Sequence, residues 1–127
     1  QMRVNVNLPS PMLVRGNSSL LMSIFKNLTD NALAYSAGRD IFINLESSDD
    51  KFYTLTFADN GIGVDEEHIN HLFERFYRID KGRSRKLGGT GLGLSIVKNA
   101  VLFHGGDISI ANRRTGGLEF KITLPKA

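Results

Sequence analysis

Residues 107–124 read DISIANRRTGGLEFKITL, two alternating runs joined by a short basic, glycine-containing turn. In the second run Leu118, Phe120, Ile122 and Leu124 point one way, while Glu119, Lys121 and Thr123 point the other. Ile108 and Ile110 repeat the pattern in the first. A strand buried on both faces reads as a continuous apolar run, whereas this alternation buries one face and wets the other. The stretch therefore specifies a sheet with helices on a single side. A doubly wound dinucleotide fold is disfavoured.

Working outward, RVNVNL (3–8), DIFINLE (40–46) and YTLTFAD (53–59) alternate in the same way, the last two separated by the polar turn SSDDK. PMLVRG (11–16) reads as a short strand or as the entry to a helix. Asn17, Ser18 and Ser19 are N-cap candidates for a helix whose apolar stripe is Leu20, Leu21, Ile24, Phe25, Leu28 and Ala32. DEEHINHLF (65–73) opens with acids, as a first helical turn prefers. A further helix runs to His104 and stops at Gly105-Gly106. The expected architecture is α/β in the α+β sense: a two-layer sandwich, three helices on one face of a mixed, largely antiparallel sheet.

Bulk properties narrow the function. With 127 residues, 41% apolar and 23% charged, the chain suits a single globular domain spanning 1–127. It holds no cysteine, hence no disulfide framework and no thiolate chemistry. No apolar run approaches the ~18 residues of a membrane span, and nothing resembles a coiled-coil seam, so a soluble, monomeric domain is expected. The opening QMRV suggests a piece excised from a longer protein. The net charge of +3 is local: between Arg75 and Lys86 six basic residues meet one acid, a charge of +5 that leaves −2 elsewhere. A nucleic-acid-binding surface would spread differently, so no nucleic-acid partner is expected.

Beside that basic segment lies LGGTGLGLS (87–95), four glycines directly before a helix. Such a run is costly in a helix and useful where bare N–H groups meet a phosphate at a helix N-terminus. It is no Walker loop, for it has no G-K-[ST] ending, and Leu94 stands where a dinucleotide fingerprint needs glycine. No H-R-D catalytic loop of a protein kinase is present.

Two polar groups stand out elsewhere. Asn27, Asn31 and Tyr35 recur every fourth residue along one edge of the first helix's apolar face. The amides could bond neighbouring backbone, or Asn31 could offer an oxygen to Mg²⁺; spacing leaves both open. Asp59-Asn60-Gly61-Ile62-Gly63 ends a strand. It could be an ordinary turn. A buried carboxylate there could also accept a hydrogen bond from the exocyclic amine of adenine, while guanine presents a carbonyl at the matching position. His68 and His71, three apart on an acidic helix, read as a solvated face rather than a zinc site.

N-L-x-x-N-A-x-x-Y-S (27–36), D-N-G-I-G (59–63), L-F-E-R-F-Y-R (72–78), G-G-T-G-L-G-L-S-I-V-K (88–98) and H-G-G-D-I (104–108) occur in that order. Together they resemble the N box, first glycine box, F box and second glycine box of the catalytic and ATP-binding domain of sensor histidine kinases. The likeness covers essentially the whole chain. It implies the Bergerat sandwich shared with DNA gyrase. By position, it also implies that Asn31 holds Mg²⁺, with Asn27 the neighbouring polar residue of the N box, that Tyr35 packs by the adenine, and that Asp59 accepts the adenine amine. Gly61 and Gly63 would form the purine floor. Phe73 and Phe76 would anchor an ATP lid over about 74–90, and Arg78 would reach the γ-phosphate. Thr90, Gly91, Leu92, Gly93 and Leu94 would meet the phosphates.

The implied activity is that of a protein-histidine kinase in a two-component system. Mg²⁺–ATP is bound, and its γ-phosphoryl group passes to a histidine on a dimerisation domain expected upstream and absent here. Asn31 and Arg78 are the catalytic candidates. ATP, ADP, that domain and a downstream response regulator are the implied partners. The domain is expected in the cytoplasm, its parent anchored in the bacterial inner membrane. Two alternatives stand beside this reading: a gyrase-type ATPase, against which Asn27 argues because those enzymes carry a water-activating glutamate there, and a degenerate nucleotide-binding module. Two departures from the family pattern are Ala34, where lysine or arginine is common, and Leu118, where threonine is usual.

Overall fold

The alternating runs pair as the sequence requires. A computed structural model describes residues 2–9, 12–77 and 92–127. Along these residues run β1 (Arg3–Asn7), α1 (Ser18–Tyr35), β2 (Asp40–Ser48), β3 (Phe52–Asp59), α2 (Glu66–Ile69), α3 (Gly93–Phe103), β4 (Asp107–Asn112) and β5 (Leu118–Pro125). The strands form one sheet in the order β1-β2-β3-β5-β4. β1 pairs parallel to β2, and every other neighbour is antiparallel. The expected mixed sheet with helices on one face is therefore the observed one.

Burial follows the alternation in β5 but not in β1. All five β1 residues are exposed, Val4 at 53% and Val6 at 61%, so the expected apolar face of that strand is not buried. Leu118, Phe120, Ile122 and Leu124 of β5 are all buried, while Lys121 between them is exposed and bridges to Glu46 of β2 on the opposite face at 3.2 Å. Against the apolar face lie Ile24, Leu28 and Ala32 of α1 and Val97, Ala100 and Val101 of α3, closing one core with Ile41, Leu55 and Phe57. No helix among the described residues is long and apolar enough to cross a membrane.

Local chemistry sets the boundaries. Asn17 is the N-cap of α1, its Oδ1 accepting from the Leu20 N–H at 3.0 Å. Of the segment 11–16, the described residues 12–16 form no strand but a bridge, Val14 to Lys126, on the way to that cap. Its end is pinned by His104 at the far end of α3: the imidazole Nε2 accepts from the Asn17 N–H at 3.0 Å, and Nδ1 faces the Ala100 carbonyl at 2.7 Å. Both bonds are satisfied together only by the neutral ring carrying its proton on Nδ1.

The helix expected over 65–73 is shorter than its pattern suggests. Acids do occupy its first turn, but α2 ends after Ile69 and buries no residue. A single turn gains little from helix propagation, and of the α2 residues only Ile69, at its end, packs against the core. The chain instead breaks into turns that bring Leu72 and Phe73 against the core.

β1 is joined to the rest by a polar knot around Asp40. Arg3 donates to both its carboxylate oxygens (2.9 and 3.2 Å), Asn5 to Oδ1 (3.2 Å) and Asn60 to Oδ2 (3.1 Å). The Arg3 hydrogen bond, followed by that of Asn5, holds the Asp40 carboxyl below its ordinary value of 3.8. A lowered folded value means that this stabilisation is complete above pH 3.8 and disappears as the pH falls from there toward the folded value. Asp40→Asn is thus expected to unfold at lower urea than the parent at neutral pH. The gap between the two should close below pH 3.8; an equal gap at every pH would show that the charge is irrelevant.

Candidate functional site

The end of β3 brings the first glycine box between the C-terminal end of α1 and the start of β5. Asp59 is only 6% exposed. Its Oδ1 accepts from the Gly61 N–H at 2.8 Å and from the Leu118 N–H at 3.4 Å. Its main-chain carbonyl accepts from Arg113 Nη1 at 2.8 Å, and the same guanidinium lies 5.3 Å over the Phe42 ring. Oδ2 takes no bond from the described residues, and since no buried side-chain polar atom among them is unpartnered, Oδ2 keeps some exposure. One oxygen is held and one is on offer.

Close packing explains the glycines around this carboxylate. A Cβ on Gly61 would lie 1.9 Å from the Ser36 carbonyl oxygen, and one on Gly117 would lie 2.0 Å from that of Asp59. Gly117 also has φ +93°, a backbone region that side chains resist. Within the box the two polar neighbours divide their work. Asp59 faces the cleft, and Asn60 turns away, its Oδ1 accepting from the Arg39 and Asp40 N–H groups at 2.9 Å each.

The two asparagines of the stripe differ in their partners. Asn27 Nδ2 donates to the Ser23 carbonyl at 2.8 Å, so the backbone claims it. Its Oδ1 faces the start of α3, 3.3 Å from where a Cβ on Gly93 would sit. One turn on, Asn31 is half-buried and makes no side-chain hydrogen bond among the described residues, which leaves its oxygen available to a cation. Tyr35, half-buried, closes the same helix immediately before Ser36.

Gly93 and Leu94 form the first turn of α3, whose N–H groups have no acceptor inside the helix. Leu92 occupies the cap position, where its carbonyl accepts from the Ile96 N–H (3.0 Å) and Ser95 Oγ (2.8 Å). This helix start lies beside Asn27, one turn from Asn31. Anion-binding donors and a candidate cation ligand thereby share one wall.

The two phenylalanines part company. Phe73 packs edge-on to Phe120 with ring centroids 6.3 Å apart and carries Lys98 Nζ at 5.4 Å, so it ties the F box to the sheet. Phe76 is 60% exposed at φ +67° with the Arg75 guanidinium 5.4 Å over its ring, so among the described residues it is Phe73, and not Phe76, that packs against the core. His68 bonds the Tyr77 hydroxyl at 2.5 Å, and His71 stacks on the Tyr77 ring. Arg78, Thr90 and Gly91, with the expected lid from 78 onward, lie outside the described residues.

Sequence reasoning missed Asn112 and Arg113, which the RRTGG turn disguised as a mere strand connection. Their only signal was an arginine and an asparagine flanking a turn that ends in two glycines.

Known proteins give this geometry its context. Residues 16–127 match the family described as histidine kinase-, DNA gyrase B-, and HSP90-like ATPase. The chain belongs to that family. Among its relatives, the signal transduction histidine-protein kinase BaeS of Escherichia coli (strain K12) is 39% identical over 98% of this chain and 27% of its own length. The sensor-like histidine kinase SenX3 of Mycolicibacterium smegmatis is 36% identical over 99% of this chain and 33% of its own. The chain thus spans about a third or less of these curated relatives. The solved mycobacterial sensor histidine kinase MprB superposes with a TM-score of 0.81 at 31% identity, covering 98% of this chain and 82% of that one. Within the family, the chain is the catalytic and ATP-binding domain of a sensor histidine kinase, as the four boxes implied.

In this ATPase-family domain the contact between Gly117 and Asp59 is a sharp constraint. Gly117→Ala is expected to lose about 1–3 kcal/mol of folding stability, read as a lowered urea midpoint. A variant as stable as the parent would mean that the β5 entry relaxes without disturbing Asp59.

Proposed function

We propose that this domain binds Mg²⁺–ATP and presents the γ-phosphoryl group to a histidine on a separate dimerisation domain of the same protein. The observation that carries the reading is Asp59: a buried carboxylate with one oxygen fixed by two backbone N–H groups and the other facing the cleft. An acceptor so placed selects an exocyclic amine and repels a carbonyl, which favours adenine over guanine. Full-length ShkA, 25% identical with a TM-score of 0.79, was solved in complex with AMPPNP, an observation made on that protein that supports a nucleotide here.

From the base, the phosphate chain would run toward the first turn of α3, where Gly93 and Leu94 offer N–H groups and Asn31 offers its oxygen. Mg²⁺, held in part by Asn31, would supply charge neutralisation on the phosphate oxygens. Arg78, carried over from the resemblance, would add a cation at the γ-phosphate. Tyr35 would flank the base. The residue at position 27 speaks against water activation: an amide whose nitrogen is bonded to Ser23 has no basic group to offer. The main product is therefore phosphohistidine rather than free phosphate. The acceptor then serves a response regulator, in a protein whose kinase portion works in the cytoplasm and whose parent is anchored in the bacterial inner membrane.

Two measurements test this. Asp59→Asn should weaken ADP and ATP binding by calorimetry about 10- to 100-fold, the equivalent of one charged hydrogen bond; unchanged affinity would overturn the adenine assignment. With ATP and a dimerisation domain supplied in trans, acid-labile phosphate should appear on that domain. Rapid phosphate release without it would instead favour a gyrase-type ATPase.

A further inference from the structure

The loop carrying Gly61 and Gly63 is held from both sides. On one, the Ile62 N–H donates to the Ser36 carbonyl at 2.8 Å. On the other stands Asn112, the last residue of β4. Its Oδ1 accepts from the Val64 N–H at 2.9 Å while its Nδ2 donates to the Val64 carbonyl at 2.6 Å. One side-chain amide thus satisfies both main-chain polar groups of a single residue, as a neighbouring strand would. Nδ2 also reaches Glu66 Oε1 at 3.3 Å.

The fit leaves no slack. Gly63 sits at φ +69°, and a Cβ there would lie 2.5 Å from Asn112 Oδ1. The amide fills the space that a side chain at 63 would need, and the backbone of the glycine box rests on it. The next residue, Arg113, holds the Asp59 carbonyl. The end of β4 therefore governs both the carboxylate and the glycine floor beside it.

We propose that Asn112 is a positioning residue for the purine: without touching the nucleotide, it sets the height of the Gly61–Gly63 backbone relative to Asp59. The proposal rests on the nucleotide reading of the cleft. Asn112→Ala removes both bonds to Val64. Asn112→Asp keeps the acceptor for the Val64 N–H and sets a carboxylate oxygen against the Val64 carbonyl, so it serves where the alanine variant does not fold.

Calorimetric titration of ADP into the 127-residue chain is the test. Either variant should bind ADP about tenfold more weakly. A stability control is Asp49→Ala, which removes the acceptor for the Lys51 and Phe52 N–H groups in the β2–β3 turn; it should leave ADP affinity unchanged. Combined with Asp59→Asn, the loss from Asn112→Ala should be less than additive, since a base no longer gripped by Asp59 gains little from its floor. Parent-like ADP affinity in the Asn112 variants, or strict additivity with Asp59→Asn, would overturn the proposal. Failure of the parent itself to bind ADP would overturn the nucleotide reading instead.

Discussion

A carboxylate taken almost wholly out of water needs hydrogen-bond partners. Asp59 finds them in backbone. Gly61 and Leu118 N–H groups hold Oδ1, and Arg113 and Gly117 fix the main chain behind it. Leu118 shows how economical the arrangement is. Its side chain enters the core while its N–H supports the carboxylate.

The sheet is a platform whose ends do the work. β3 ends on Asp59, β4 on Asn112, and β5 begins beside both. The antiparallel β3–β5 pair places Ala58 opposite Glu119, so the entry to β5 is at the height of the carboxylate. On the helix side, α1 contributes Asn27 and Asn31, and α3 begins where Asn27 faces Gly93. Packing of Ile24, Leu28, Val97 and Val101 in one core is what fixes the two helices in that relation. Asp59, Asn112 and Gly93 thus lie at element ends, Asn27 and Asn31 within α1, and the apolar layer beneath sets their distances.

A second polar system stabilises the opposite end of the glycine box. Asn60 faces Asp40, which in turn gathers Arg3 and Asn5 of β1. Adjacent residues of one motif are consequently devoted to different purposes, Asp59 to the cleft and Asn60 to the sheet edge. His104 plays a comparable role at the far pole, where its neutral ring joins the end of α3 to the cap of α1.

Period-two alternation was sufficient to declare the sheet, its one-sided burial and the core residues of β5, because a strand's geometry leaves a side chain only two directions. The boxes, read in order, singled out Asp59, Asn31 and the start of α3, and the family match bears out the domain they imply. The length of the helix after Asp65 was overestimated, since acids in a first turn announce a start but not where the helix stops. Which of the two asparagines spends its amide on backbone, which phenylalanine reaches the core, and how Asn112 and Arg113 support a motif some fifty residues earlier were decided only in three dimensions. Periodicity reports the direction of a side chain relative to its own backbone. Partners brought from distant segments by core packing leave no trace in local spacing.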